Sequence, residues 1–218
     1  MFHLIKKDIL MQKRALKLSV LLIIFFTITL SNIGPAGLTV GILAITYQLI
    51  LGASALEDKN NSDIILISLP IKRTTIVLAK YVSIYIYAAY AALGFYLIYL
   101  ISNLVNLPID VPFHSTVLIG AFFAVTMFCS LSLPLIFKYG YLKSKMANLV
   151  IFFVFVFGGT AVVGYLNEHD KMKLSQNIIG FFNNTSDIAA LLILFVLLGV
   201  ILVLSFFISL TFYRGREF

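Results

Sequence analysis

The chain reads as an all-α integral membrane protein, and three observations lead there. Hydrophobic residues fill 61% of its 218 positions and charged residues 11%, against about 45–50% and about 25% in an ordinary soluble domain. Its mean hydropathy is +1.05, which also excludes disorder, whose mark is low hydrophobicity. The apolar residues come in runs close to the roughly 20 residues that carry a helix across a bilayer. Six such runs with short connections use up the length and leave no room for a soluble catalytic domain.

The N-terminal segment carries Lys6, Lys7, Lys13, Arg14 and Lys17. At 100° per residue, Phe2, Ile5, Ile9, Gln12 and Leu16 fall on one side and those cations on another. The pattern predicts an amphipathic basic helix over 1–14, lying at a membrane surface. The apolar run behind it has no small-residue cleavage site, so it reads as an uncleaved span rather than a signal peptide. Span 1 covers about 16–33. The sequence Ser31-Asn32-Ile33-Gly34-Pro35-Ala36 makes a tight turn into span 2, about 36–56.

A polar break at 57–63 follows, then an apolar stretch, 64–71, too short to cross and interrupted by Pro70. Span 3 is expected at about 76–102 with Lys80 near its start, span 4 at 116–137, and span 5 at 146–166, with a short basic loop at 138–145 between the last two. The segment 167–187 is the longest connection. Leu174, Ile178, Ile179, Phe181 and Phe182 have helical spacing there. Span 6 covers about 188–213.

Charge orients these spans. Fourteen of the sixteen basic residues lie in the N-terminal segment, the 57–80 region, the 138–145 loop and the C-terminus; only Lys171 and Lys173 lie on the other side. The net charge of +7 is thus a topological record, and the excess of Lys and Arg on cytoplasmic loops predicts both termini inside. It does not call for a nucleic-acid partner. The single cysteine, Cys129, sits in an apolar run and reads as a buried packing group.

Several chemistries lack their residues. There is no G-x-x-x-x-G-K-[ST] phosphate loop and no H-E-x-x-H. No predicted span carries a charge in its interior, which counts against ion-coupled transport and intramembrane catalysis. The chain is expected not to be an enzyme, to hold no metal or cofactor, and to take its energy from a partner.

The loop between spans 2 and 3 is the most informative segment. Ser62 or Asp63 is placed to cap a short helix, Pro70 to end it, and Thr74 or Thr75 to cap span 3. A short apolar helix at a membrane face suits either docking into a groove of a soluble protein or dipping into lipid.

Glu57-Asp58-Lys59, then Ser68-Leu69-Pro70-Ile71-Lys72-Arg73, Ile76-Val77 and Lys80-Tyr81, together with the hydropathy layout of the whole chain, resemble the permease subunit of ABC-2-type ATP-binding cassette transporters in their small six-span, type V exporter-like form. The resemblance implies a coupling helix that contacts a separately encoded ATPase. Carried onto this chain, the contact comprises Glu57, Asp58, Asp63, Ile64, Ile65, Leu66, Ile67, Leu69 and Pro70, with Lys72 and Arg73 flanking. It further implies two ATPase subunits that hold ATP and Mg²⁺, a second permease copy or a paralogue, and a bacterial cytoplasmic membrane. The family includes exporters of antimicrobial and cytolytic peptides, the phenol-soluble-modulin exporters of staphylococci among them, and this chain is similar in size. An amphipathic or hydrophobic substrate fits a pathway without charge.

Side chains that combine apolar area with a polar group suit the lining of such a pathway. Tyr47 and Gln48 of span 2 and Tyr85 and Tyr96 of span 3 are the candidates, whereas Tyr81 and Tyr99 fit an interfacial aromatic belt. Gly37 and Gly41, spaced as G-x-x-x-G, and Gly158, Gly159 and Gly164 permit close helix approach and suit a dimer seam. Ser132-Leu133-Pro134 predicts a kink in span 4. Two other functions share these features: a membrane immunity factor that sequesters a peptide without ATP, and an ion-coupled secondary transporter.

Overall fold

The computed structural model describes residues 2–30, 33–60, 62–105, 113–168 and 187–215. All the regular structure among them is helical: α1 (Phe2–Met11), α2 (Lys13–Leu30), α3 (Pro35–Lys59), α4 (Ser62–Ser68), α5 (Arg73–Val105), α6 (Ser115–Glu168) and α7 (Asp187–Gly215). Four of them, α3, α5, α6 and α7, hold stretches long and apolar enough to cross a membrane. The helix pattern expected at 174–182 lies outside the described residues, as do Lys171 and Lys173.

Helix starts follow local chemistry. Gly34 has φ +68°, a conformation that costs glycine little, and Pro35 stands at the first helical position of α3, where its missing N–H leaves no bond unmade. His114 opens α6 by accepting hydrogen bonds from the backbone N–H groups of Val117 and Leu118. α5 begins two or three residues earlier than the threonine caps suggested. Lys72 is its capping carbonyl, 2.9 Å from the N–H of Thr75.

The basic loop expected at 138–145 is not a loop. α6 is two helices meeting at Gly140, whose φ of 76° and ψ of 172° are the non-helical angles inside it. Ser132 Oγ donates to Asn148 Oδ1 at 2.8 Å. These residues lie symmetrically about Gly140, and in a straight helix they would stand about 24 Å apart. Their contact therefore shows that the arms 115–139 and 141–168 fold back on one another. Pro134 sits within the first arm, where it removes a donor to the carbonyl four residues back, that of Ser130. Ser205 Oγ of α7 donates to that carbonyl at 2.7 Å.

α3 is the central helix. Leu38, Ile42, Leu43, Ile45, Leu49 and Ile50 are buried along it, and it packs on α2, α5 and α6. The glycine pair expected to suit a dimer seam serves this packing within one chain. A Cβ on Gly41 would lie 2.7 Å from Phe95 Cζ of α5, and one on Gly37 would collide with the carbonyl oxygen of Leu30 in α2. Gly94 of α5 similarly admits Ile23 Cδ1 of α2. α7 is the least buried of the four candidate spans; Phe195, Val196, Val203, Leu204 and Phe207 are exposed on it, as expected of a helix whose surroundings are acyl chains.

Candidate functional site: the α4 loop and a buried ion ring

α4 links α3 to α5. Its Leu66 is buried in the hydrophobic core, while Ile65 and Leu69 are 60% and 45% exposed. Ile65 lies on α4 and Leu69 directly follows its last residue. Ser68 Oγ donates to the carbonyl of Ile65, and Pro70 closes the segment with Ile71 N–H bonded to Leu69 O at 2.7 Å. Ser68, Pro70 and Lys72 are exposed beside it. The side chains of Asp63, Ile64 and Ile67 fall outside the described set.

Two residues of the expected contact set are used elsewhere. Arg73 Nη1 donates to the carbonyl of Arg214 at 2.7 Å and reaches that of Tyr213. It thereby satisfies the end of α7, where unpaired carbonyls and the helix dipole favour a cation. Glu57 does not face outward at all. Its Oε1 accepts from Lys7 Nζ at 2.8 Å and its Oε2 lies 2.6 Å from Lys80 Nζ.

Asp8 completes a ring. Lys7 Nζ is 3.3 Å from Asp8 Oδ1, and Lys80 Nζ is 3.5 Å from Asp8 Oδ2. Each cation touches both carboxylates, so two positive and two negative charges alternate among α1, α3 and α5. Asp8 and Glu57 are buried, and Lys80 is nearly so, its side chain 14% exposed. Burial pushes the Asp8 carboxyl above its ordinary value; Lys80 and Lys7 oppose that rise and Glu57 adds to it. Beyond the ring, Gln12 Nε2 donates to Tyr87 Oη at 2.9 Å, and Tyr90 Oη donates to the carbonyl of Leu16 at 3.0 Å. One face of α5 thus holds the corner between α1 and α2.

The sequence places Lys80 near the start of span 3 without a partner; the structure nearly buries it in the ring. Lys80 lies two turns into α5. In the N-terminal segment Gln12 is buried on the expected apolar side, and Asp8 is buried as well, which the sequence pattern does not anticipate. The one signal for Asp8 was its place as the only acid of a basic segment, four residues before Gln12. For Lys80 it was a lone cation between Ala79 and Tyr81 in an apolar run.

The four candidate pathway residues do not come together. Tyr85 alone lines a large cavity, about 550 Å³ between α5, α6 and α7, walled by Leu118, Ile119, Phe122, Phe123, Leu194, Phe195, Leu198 and Leu202. Its hydroxyl is 3.2 Å from Thr126 Oγ1 and its ring stacks on Phe122. A second groove of about 500 Å³ shares Tyr85 and Leu202. Tyr47 is stacked on Phe152 at 4.6 Å and edge-on to Phe128, with Gln48 half-buried beside it. Tyr96 stacks with Tyr99 near the opposite end of α5. Tyr81, expected in an interfacial belt, is instead buried, 2.6 Å from Ser205 Oγ and 2.9 Å from Ser209 Oγ. Ser205 gives its proton to Ser130 O, so Tyr81 donates to Ser205 and accepts from Ser209.

Comparison with known proteins adds one match. The profile of a family described as ABC-2 family transporter protein covers residues 3–214. Neither the curated proteins nor the solved structures include a match to the chain.

Proposed function

The chain belongs to the ABC-2 transporter family, is a multi-pass membrane protein, and from that premise we propose that it is the permease subunit of an ATP-driven exporter. The observation that carries the reading is the α4 segment: a short helix anchored through Leu66 that exposes Ile65, followed at once by exposed Leu69, between two helices long enough to cross a bilayer. A short helix with apolar side chains exposed on it and just past its end is an element a soluble partner's groove accepts. Ile65, Leu66, Leu69, Pro70 and Lys72 form or support the contact, with Asp58, Asp63, Ile64 and Ile67 in the same segment. Glu57 and Arg73 serve it from within.

In this reading α2, α3, α5, the two arms of α6, and α7 are six spans with both termini in the cytoplasm of a bacterium. Two cytoplasmic ATPase subunits hold ATP and Mg²⁺. They drive this chain and a second permease copy or paralogue, and closure of the ATPase pair displaces α4. The apolar cavity at Tyr85 suits a hydrophobic or amphipathic substrate, a peptide above all, because its walls offer contact area and only the Tyr85–Thr126 pair as polar groups. Internal neutralisation of the buried ring disfavours ion coupling, since no carboxylate in it is left to hold a transported cation.

The test is co-purification with the cognate ATPase. Replacing Ile65 and Leu69 with Asp is expected to abolish association while the permease stays folded in detergent. Full association and transport by that variant would refute the assignment. A peptide-sequestering immunity protein would protect cells even with the ATPase inactivated, and an ion-coupled transporter would work in vesicles under an imposed gradient without it.

A further inference from the structure

Glu57 lies in the last turn of α3 and Lys80 two turns into α5; the α4 loop, with the adjoining helix ends, lies between them. Their 2.6 Å contact therefore staples the loop at its base. A loop closed at its base hands any force on its tip to both flanking helices together. α1 is fastened to the same point, through Lys7 on Glu57 at 2.8 Å and Asp8 on Lys80 at 3.5 Å. Gln12 and Leu16 extend the attachment along the same face of α5 through Tyr87 and Tyr90.

Charges so buried are a poor way to add stability, because apolar groups of similar volume in their place are often as stable or more so. What the ring supplies instead is directional, multivalent linkage at one point shared by three helices. We propose that the Lys7–Asp8–Glu57–Lys80 ring is the joint of the coupling apparatus: displacement of α4 moves α3, α5 and the α1–α2 corner as one unit, with Glu57 and Lys80 as its positioning residues. The inference deepens the reading of α4 as the coupling helix and rests on it.

The experiment uses the permease reconstituted with its ATPase in lipid nanodiscs. Cys129 is replaced by Ser, and spin labels are placed on the exposed positions Lys6 and Ser68. In the parent protein the α1–α4 distance is expected to stay constant when ATP is added, because both helices travel together. The double variant Glu57→Gln with Lys80→Met keeps the Lys7–Asp8 pair balanced and so avoids stranding a charge. There ATP is expected to shift or broaden the distance by about a helical turn, about 5 Å. Lys80→Arg, which reaches both carboxylates, is expected to behave as the parent. A double variant with the parent's constant distance would overturn the joint, as would a parent whose α1–α4 distance itself changes with ATP. Failure of the α4 reading is separate: the Ile65→Asp, Leu69→Asp variant would then still bind the ATPase, whatever the labels report.

Discussion

Glu57 and Asp8 are two carboxylates in one ring with different standing. Glu57 makes the short contacts, 2.8 and 2.6 Å, and Asp8 the long ones, 3.3 and 3.5 Å. Glu57→Gln leaves Lys7 and Lys80 facing one carboxylate, and breaking a buried pair from one side costs about 3–5 kcal/mol. Asp8→Asn is expected to cost far less, since burial already disfavours its charged form. Thermal unfolding of the two variants in detergent checks the ranking; a more damaging Asp8→Asn contradicts it. The pH dependence has a definite sign. Because the folded protein raises the Asp8 pKa, the folded state holds that proton more firmly than the unfolded chain, and this contribution to stability falls as pH rises through the raised value. Asn keeps the neutral form throughout. The stability of Asp8→Asn relative to the parent is therefore expected to increase as pH rises from the ordinary aspartate range towards neutrality, and a decrease would contradict the assignment.

Two helical elements depend on backbone exceptions. At Gly140 the angles φ 76° and ψ 172° are close to unique to glycine, so Gly140→Ala is expected to destabilise by about 1–3 kcal/mol and to loosen the antiparallel arms of α6. At Pro134 the freed Ser130 carbonyl depends on Ser205. Ser205→Ala removes that donor and also the acceptor for Tyr81, for a loss of about 1–2 kcal/mol. Melting temperatures check both, and unchanged values would show that the bonds carry no weight. The contrast between these elements and the sequence reading is physical. The helices, the α4 segment and the turn at Gly34-Pro35 were legible because hydropathy and turn chemistry are local. The α6 hairpin looked like a loop because Lys138, Lys143 and Lys145 are a polar break in composition, yet one glycine suffices to reverse the chain. Lys138 instead lies over the rings of Tyr139 and Phe212, 5.0 and 4.9 Å from their centroids. The ion ring was illegible because its members, at positions 7, 8, 57 and 80, meet only once three helices pack. Tyr81 misled for the same reason: a tyrosine near a span's end looks interfacial until its serine partners on α7 are in place.

For the whole molecule, a central α3 is wrapped by α2, α5 and α6, with α1 and α4 at one end of the bundle and an apolar α7 outside. The proposed orientation places that end in the cytoplasm. In a Cys129→Ser background, a membrane-impermeant maleimide applied to intact cells is expected to label Cys at Leu104, which is 82% exposed at the far end of α5, and to spare Cys at Ser68. The reverse pattern would invert the protein. The exposed α4 segment is the proposed grip of an ATPase on this chain. It is tested most directly by cysteine crosslinking in the assembled complex, with single cysteines at Ile65, at Leu69 and, as a control on the first arm of α6, at exposed Leu131. Crosslinks to the ATPase are expected from Ile65 and Leu69 and none from Leu131; an ATPase that crosslinks at Leu131 and at neither Ile65 nor Leu69 would contradict that grip.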